Sequence, residues 1–317
     1  LEIATQLEEK YHDYRIVLNA TGGTKLMALG FVEMFREVLN AEIIYTDTEH
    51  NRIEFLGTPP RSARAMKDVL TVQLYLAMYG FTVRSCASDD RNWQVRVDKR
   101  KALSKWLAEQ ASDLGDFLGA FNGLAVKALN NTGDALNEST QCFNEPPRGK
   151  WRKAMQEIAK AGYGLIDWDG TQQITFIDAD AARYLGGIWL EEYTWHIVCD
   201  AKPYDSRCSV EGTWEGGDKS RKPKNEFDLL ATYRNRLLVI ECKTLKFGRD
   251  EGKDQDILYK LDALGSKAKG LFGSTWLVSA RTLTNEVRSR AKSQKIEVIE
   301  SQDLSNLRQK ILAWMNS

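Results

Sequence analysis

Apolar positions recur along this chain with two periods, one of strand type and one of helix type. Residues 15–20 (RIVLNA), 42–46 (EIIYT) and 52–56 (RIEFL) are short apolar runs of strand length. Between the first two, residues 25–39 are apolar on most sides and long enough for a helix. Strands alternating with a helix predict a fragment of a doubly wound α/β sheet, closed by a linker at Thr58-Pro59-Pro60. Residues 62–79 carry Met66, Val69, Leu70, Leu74, Ala77 and Met78 on one stripe before Gly80, which predicts a helix with its stop. Two more helices are expected over 101–130, a loop rich in Asn, Gly and Pro over 131–149, and a helix over 150–161. Short strands at 164–168 and 173–177 then flank the turn Asp169-Gly170, so that helices lead into a β-wing.

From Asp180 onward the pattern is again mixed. It predicts helices over 189–198, 254–264, 285–291 and 304–315, and strands over 226–232, 237–244, 274–279 and 295–299. The expected organisation is an α/β sheet over 1–60, a helical linker and winged-helix-like region over 61–180, and a second α/β domain over 181–317. A length of 317 residues suits such a division.

Charge changes the picture little. Lys+Arg and Asp+Glu both total 44, so a polyanion would have to be met by local clusters rather than by net charge. The five cysteines are odd in number and lack CxxC spacing, which argues against a zinc site or a disulfide framework and fits a reducing cytoplasm. No apolar run reaches the roughly 20 residues of a membrane helix. His12 and His50 lie in polar stretches and His196 in an apolar helix, without metal or triad spacing. Trp151, Trp168, Trp189 and Trp195 suit core packing better than base stacking, and the cluster Arg148, Lys150, Arg152, Lys153 suits a solvated helix start.

The chemistry concentrates in NEFDLLATYRNRLLVIECKT, residues 225–244. With Arg234-Asn235 as a two-residue hairpin turn, Tyr233 pairs with Arg236, Asp228 lies opposite Glu241, and Glu226 opposite Lys243. Side chains alternate along a strand, so these four groups share one face. Like charges placed opposite each other in a sheet are unfavourable, and the apolar residues around them favour burial. Such a pair calls for a cation, and carboxylate oxygens select Mg²⁺ or Mn²⁺. Lys243 can orient a water or stabilise charge on a phosphorane-like transition state. The plain alternative is a surface hairpin with a solvated charged face. The cross-strand Asp and the apolar run entering Glu241 favour a site.

This D-(x)n-ExK hairpin resembles the PD-(D/E)xK nuclease superfamily, with Asp228, Glu241 and Lys243 matching its core. The resemblance implies a metal held by Asp228, Glu241 and the Cys242 backbone carbonyl, with a glutamate from an upstream helix. In GIWLEE, residues 187–192, Glu191 suits that place. It also implies a helix after the motif that supplies groups near the scissile phosphate, here Tyr259 and Lys260. Phe227 stands where the superfamily often has proline. The basic run Lys219, Arg221, Lys222, Lys224 could steer nucleic acid, or simply be a solvated loop.

A second motif, Asn19-Ala20-Thr21-Gly22-Gly23-Thr24-Lys25, joins a strand to a helix. Its glycines permit close backbone approach to a ligand, the helix start favours anions, and Lys25 adds charge. It is not a Walker A loop. By itself it reads as a tight turn. Combined with the nuclease motif, the chain resembles the CARF–nuclease effectors of type III CRISPR immunity. That resemblance implies a partial Rossmann-like CARF sheet, a winged-helix middle and a restriction-endonuclease-like α/β domain. It further implies a cytoplasmic homodimer that binds a cyclic oligoadenylate, most often cyclic tetra-adenylate, through Asn19, Thr21, Gly22, Gly23, Thr24 and Lys25. Binding would switch on cleavage of single-stranded RNA or DNA, or nicking of DNA. Ahead of Leu1 such a CARF domain has a further strand, loop and helix. The competing expectation is a ligand-responsive winged-helix transcription regulator with an inert nuclease-like tail.

Overall fold

The computed structural model describes residues 6–7, 9–37, 41–215, 225–245, 251–268, 270 and 273–316, with backbone alone at 251–256, 260, 264 and 266. It divides into two compact units, Leu1–Val69 and Leu70–Ser317.

The first unit holds β1 (Ile16–Asn19), α1 (Lys25–Arg36), β2 (Ala41–Asp47), β3 (Arg52–Phe55) and β4 (Arg61–Ala65). They form one sheet of order β1-β2-β3-β4, with β1 and β2 parallel across the α1 crossover and the remaining pairs antiparallel. Among the described residues its buried core is Ala20, Val32, Phe35 and Ile43. The helix expected over 62–79 divides in two. Residues at its start pair with β3 as β4, where Arg61 stacks over the Phe55 ring and ion-pairs with Glu42. The helical part begins only at Thr71, whose hydroxyl accepts the Leu74 N–H as an N-cap. Thr58-Pro59-Pro60 is therefore a bend between two paired strands rather than the end of the sheet.

The second unit runs through α2 (Val72–Met78), β5 (Phe81–Cys86), α3 (Arg91–Gln110), α4 (Gly115–Ala128), β6 (Thr140–Cys142), α5 (Gly149–Ile158), β7 (Ile166–Asp167), β8 (Gln173–Phe176), α6 (Ala179–Arg183), α7 (Trp189–Ala201) and β9 (Asp205–Trp214). It continues with β10 (Asn225–Tyr233), β11 (Arg236–Lys243), α8 (Glu251–Ala268), β12 (Ser274–Ser279), α9 (Asn285–Ser293), β13 (Ile296–Ile299) and α10 (Leu307–Asn316). The main sheet has the order β13-β12-β11-β10-β9-β5. Its β5, β9, β10 and β11 are antiparallel neighbours, while β11, β12 and β13 are parallel. The short strands make a separate sheet of order β6-β8-β7.

Both faces of the main sheet are covered. On one, Leu229, Leu238 and Ile240 join Phe117, Trp189 and Trp276; on the other, Leu230 and Val239 join Leu76, Phe81 and Leu277. This explains the nearly continuous apolar run of β11, since a strand buried on both faces needs no polar alternation. The tryptophans pack as expected: Trp189 is buried, Trp151 stands edge-on to Phe117, and Trp195 edge-on to Trp93.

The β5 and β9 strands were not expected from the pattern of the chain. They meet closely at Gly212, where a Cβ would collide with the Thr82 carbonyl oxygen and the Phe81 ring. Gly212→Ala should therefore lower stability by about 1–3 kcal/mol through overpacking, read as a lower urea midpoint with an unchanged slope.

Candidate active site

The site grows from the β10–β11 hairpin. Arg234 and Asn235 have φ of 49° and 56°, the paired left-handed conformation of a two-residue turn that matches strand twist. The pairing follows the expected register from Tyr233–Arg236 as far as Leu229–Ile240. There the recorded ladder ends. In place of a backbone carbonyl, the Asp228 carboxylate accepts the Cys242 N–H at 2.7 Å. Asp228 and Glu241 thus sit at the point where the strands part, and they share one partner. Lys243 Nζ lies 2.7 Å from Glu241 Oε1 and 3.5 Å from Asp228 Oδ2. Asp228 is 9% exposed and Glu241 5%, so this is a buried cluster and not a solvated face.

Glu191, in the first turn of α7, joins them. It lines the same cavity wall as Lys243, and its carboxyl is pushed well above the usual range by burial and then by the Asp228 charge. Asp228 is itself raised to about 6, by burial first and by Glu241 second. Burial alone would lower Lys243, but Asp228 and Glu241 hold its ammonium above the ordinary lysine range. Three carboxyl groups share one ammonium, and the crowding of negative charge is part of what holds Glu191 toward its protonated form. The donors are all oxygen, which fits a hard divalent cation. Among the described residues no three His, Cys, Asp or Glu side chains enclose a metal-sized space. The ammonium of Lys243 stands between the two carboxylates that would otherwise face each other across it.

Glu192, one residue on, points elsewhere. Successive helical residues diverge by about 100°, and Glu192 is fully buried against Arg100 of α3. The Arg100 Nε lies 2.7 Å and 3.0 Å from the two Glu192 oxygens, and its Nη1 lies 2.7 Å from Asp180 Oδ2. Its guanidinium also covers the Tyr184 ring at 4.3 Å, and Tyr184 hydrogen-bonds Ser104 at 2.9 Å. This network fastens α7 to α3 and so sets where Glu191 stands. Neither Arg100 nor Glu192 was anticipated as part of the site's support; an arginine in a polar helix and the second of two adjacent glutamates carry no local signal.

Other candidates fall outside this cluster. Glu226 pairs with Glu211 of β9 and contributes charge from an exposed position. Tyr259 is exposed on α8, with Arg290 over its ring at 5.9 Å. The Lys260 side chain and the basic run Lys219, Arg221, Lys222, Lys224 lie outside the described residues. His196 is buried, its ring held 3.3 Å from the Val97 carbonyl. That is a structural role.

In the first unit, the loop between β1 and α1 is exposed from Thr21 to Lys25. Thr21 Oγ donates to Asn19 Oδ1 at 2.6 Å and accepts the Thr46 N–H at 2.7 Å. Gly23 has φ of +85°, which glycine adopts without strain. Thr24 is the N-cap of α1, accepting the Met27 N–H at 3.3 Å. The loop is thus pinned at Asn19 and Thr21 while Gly22 and Gly23 stay open.

Fold and site together define a CARF domain joined to an endonuclease domain. Residues 1–75 match the family described as Card1 CARF domain, and residues 178–317 match the Card1-like endonuclease domain. The chain belongs to the CARF–nuclease effectors of the Card1 type. Among solved structures it is similar to protein VC1899 from Vibrio cholerae, with a TM-score of 0.82 and 22% identity over 99% of this chain and 79% of that one. It is also similar to Can2 from Sulfobacillus thermosulfidooxidans, solved in complex with cyclic tetra-adenylate, with a TM-score of 0.75 and 24% identity over 100% and 79% of the two chains. These likenesses show the shared fold. No curated protein matches the chain.

The Arg100–Glu192 pair yields a stability test. Arg100→Met strands a buried carboxylate and should cost about 3–5 kcal/mol, whereas Arg100→Met with Glu192→Met should recover most of it. Denaturant unfolding of the wild type, the single and the double variant checks this; equal loss in both variants would show that the pair is not coupled.

Proposed function

We propose that this protein is a divalent-metal-dependent endonuclease of the PD-(D/E)xK class, switched on by a cyclic oligoadenylate in cytoplasmic antiviral defence of the type III CRISPR kind. The observation that carries the reading is the buried Asp228–Glu241 pair sharing Lys243 inside an endonuclease-family domain. Its substrate is single-stranded RNA or DNA, or one strand of a duplex. Of residues 61–180, β4 belongs to the first sheet and β5 to the main sheet; the rest is read as a helical and winged-helix-like region, which the small β6-β8-β7 sheet supports.

Asp228, Glu241 and the Cys242 carbonyl would hold Mg²⁺ or Mn²⁺, with Glu191 beside them. Such an ion supplies Lewis-acid polarisation of a phosphate oxygen and a more acidic water. Lys243 then leaves its place between the carboxylates and serves the phosphate, its positive charge stabilising the charge that develops there. The surrounding apolar core keeps bulk water from these groups, which strengthens each charge interaction. Lys260 on α8 is assigned to the scissile phosphate by the superfamily pattern.

The activator site is assigned to Asn19, Thr21, Gly22, Gly23, Thr24 and Lys25. Open glycine N–H groups and Lys25 at a helix start suit phosphate. Can2 binds cyclic tetra-adenylate, which supports the same ring here. A two-fold homodimer would present the loop twice to such a ring. The exposed apolar side chains Leu26, Met27 and Leu29 on α1 support a covered surface in this unit. No helix among the described residues is long and apolar enough to cross a membrane.

Glu241→Gln and Asp228→Asn should abolish Mn²⁺-dependent cleavage of labelled RNA and plasmid DNA. The wild type should show a Mn²⁺-induced rise in melting temperature against EDTA, and each variant should abolish it. Lys243→Ala should lose cleavage but keep that thermal shift. Variants that cut at the wild-type rate would place the active site elsewhere.

The activator loop is tested separately. Lys25→Ala should shift cleavage against cyclic tetra-adenylate to higher activator concentration, with the plateau kept at excess activator, because the ligand acts through its affinity difference between states. Adding Thr24→Ala should shift the curve further and cost about 1 kcal/mol of stability through the lost cap. Identical titration curves, or full activity without activator, would remove the loop as the sensor.

A further inference from the structure

A cavity of about 320 Å³ opens beside the candidate catalytic groups, with Glu191 and Lys243 forming part of its wall. That volume lies at the lower end of ordinary ligand pockets, about 300–1,000 Å³. The rest of its lining includes Asn122 and Val126 from α4, Arg183 and Ile188 from the segment entering α7, and Thr244 and Leu245 just past β11. None of these six is one of the core residues Asp228, Glu241 and Lys243.

Its walls differ in character. Val126 is 65% exposed and Leu245 50% exposed, two apolar side chains turned to solvent around one opening. Asn122 and Thr244 supply a polar floor that is held in place. Asn122 Nδ2 donates to the Gly186 carbonyl and lies 3.4 Å from Thr244 Oγ. Gly187, at φ +152°, lets the chain close onto Thr244; a Cβ there would stand 2.7 Å from Thr244 Oγ. The exposed Arg183 guanidinium stands at the same opening, its Nη1 donating to the Gly133 carbonyl at 3.3 Å and its Nη2 3.7 Å from Asp180 Oδ1, a partly exposed ion pair that an incoming phosphate would compete with.

We propose that this cavity is a nucleotide subsite, which takes the unstacked base next to the scissile phosphate of a single strand. The inference rests on the nuclease reading above and adds to it where the substrate lies. Apolar walls suit the two faces of a planar base, the amide and hydroxyl suit its polar edge, and Arg183 suits the adjoining phosphate. Because the occupant abuts Glu191 and Lys243, its phosphodiester is brought to those groups. A base inside a duplex cannot enter without first being unstacked, at a cost of a few kcal/mol. The cavity therefore favours single-stranded over paired substrate.

The test couples a missing base to a missing wall. The full-length protein, with Mn²⁺ and cyclic tetra-adenylate, is given a single-stranded oligonucleotide with one mapped cut. It is also given versions with an abasic site on either side of that cut. One of the abasic versions should lower kcat/KM about tenfold, the effect of one packed base. Val126→Ser with Leu245→Ser, both exposed positions, should lower kcat/KM about tenfold on the intact strand. That variant should then be indifferent to the abasic site. Equal rates on intact and abasic strands, or the same abasic loss in wild type and variant, would overturn the subsite. If the wild type cuts no strand under any of these conditions, the nuclease reading fails. The affinities of intact and abasic strands, measured by fluorescence anisotropy, then decide the subsite alone: a tenfold gap that vanishes in the variant supports it, and equal affinities overturn it.

Discussion

Two carboxylates, Asp228 and Glu241, are taken out of water around a single ammonium, and the arrangement of the second unit follows from that. Removing a carboxylate from water costs several kcal/mol after relaxation, so each must be met by a partner. Lys243 serves both, and the Cys242 N–H serves Asp228. That N–H can reach a side chain because β10 and β11 stop pairing at Leu229–Ile240. The parted strands thus create the site and also supply one of the donors that makes its burial tolerable. Glu191 adds a third carboxyl, held toward its protonated form by burial and by Asp228, and one ammonium cannot balance all three once it ionises. A cluster left acidic in this way is suited to take up a cation.

The position of Glu191 depends on a neighbour that does no chemistry. Its helix carries two glutamates in succession, and the helical turn sends them to different sides. Glu192 is clamped by Arg100, which in turn is held by Asp180 and stacked on Tyr184. A buried group with three partners, two of them buried, has few alternative places to be, so α7 is fixed about its own axis. On the opposite flank, Gly187 and Thr244 bring the segment before α7 against the end of β11. The same close approach shapes the cavity proposed for a base.

In the first unit the physical situation is reversed. Among the described residues its buried core is one patch of four side chains, and several large apolar side chains of α1 remain exposed. The loop before α1 combines rigidity at Thr21 with open backbone at Gly22 and Gly23. Thr24 has two tasks there, capping α1 and standing at the proposed ligand surface. A ligand held by such a loop influences a site in the other unit only through the difference in its affinity for two states.

The hairpin was legible because its signals are local. Apolar residues bracket a two-residue turn, and counting outward from Arg234-Asn235 gives the register that holds as far as Leu229–Ile240. Glu191 was reached only through the resemblance to the nuclease superfamily, which expects a glutamate on an upstream helix. Other features were decided only by contacts between distant segments. β4 has no buried position, so its sequence carries no strand rhythm; pairing with β3 and the Arg61–Glu42 ion pair make it a strand. β5 and β9 become strands by joining the sheet edge. The choice between Glu191 and Glu192, and the point where β10 and β11 part, likewise belong to the tertiary structure. Local pattern sets which face a side chain takes along its own element, but burial and charge compensation depend on partners such as Arg100, ninety-two positions away from Glu192.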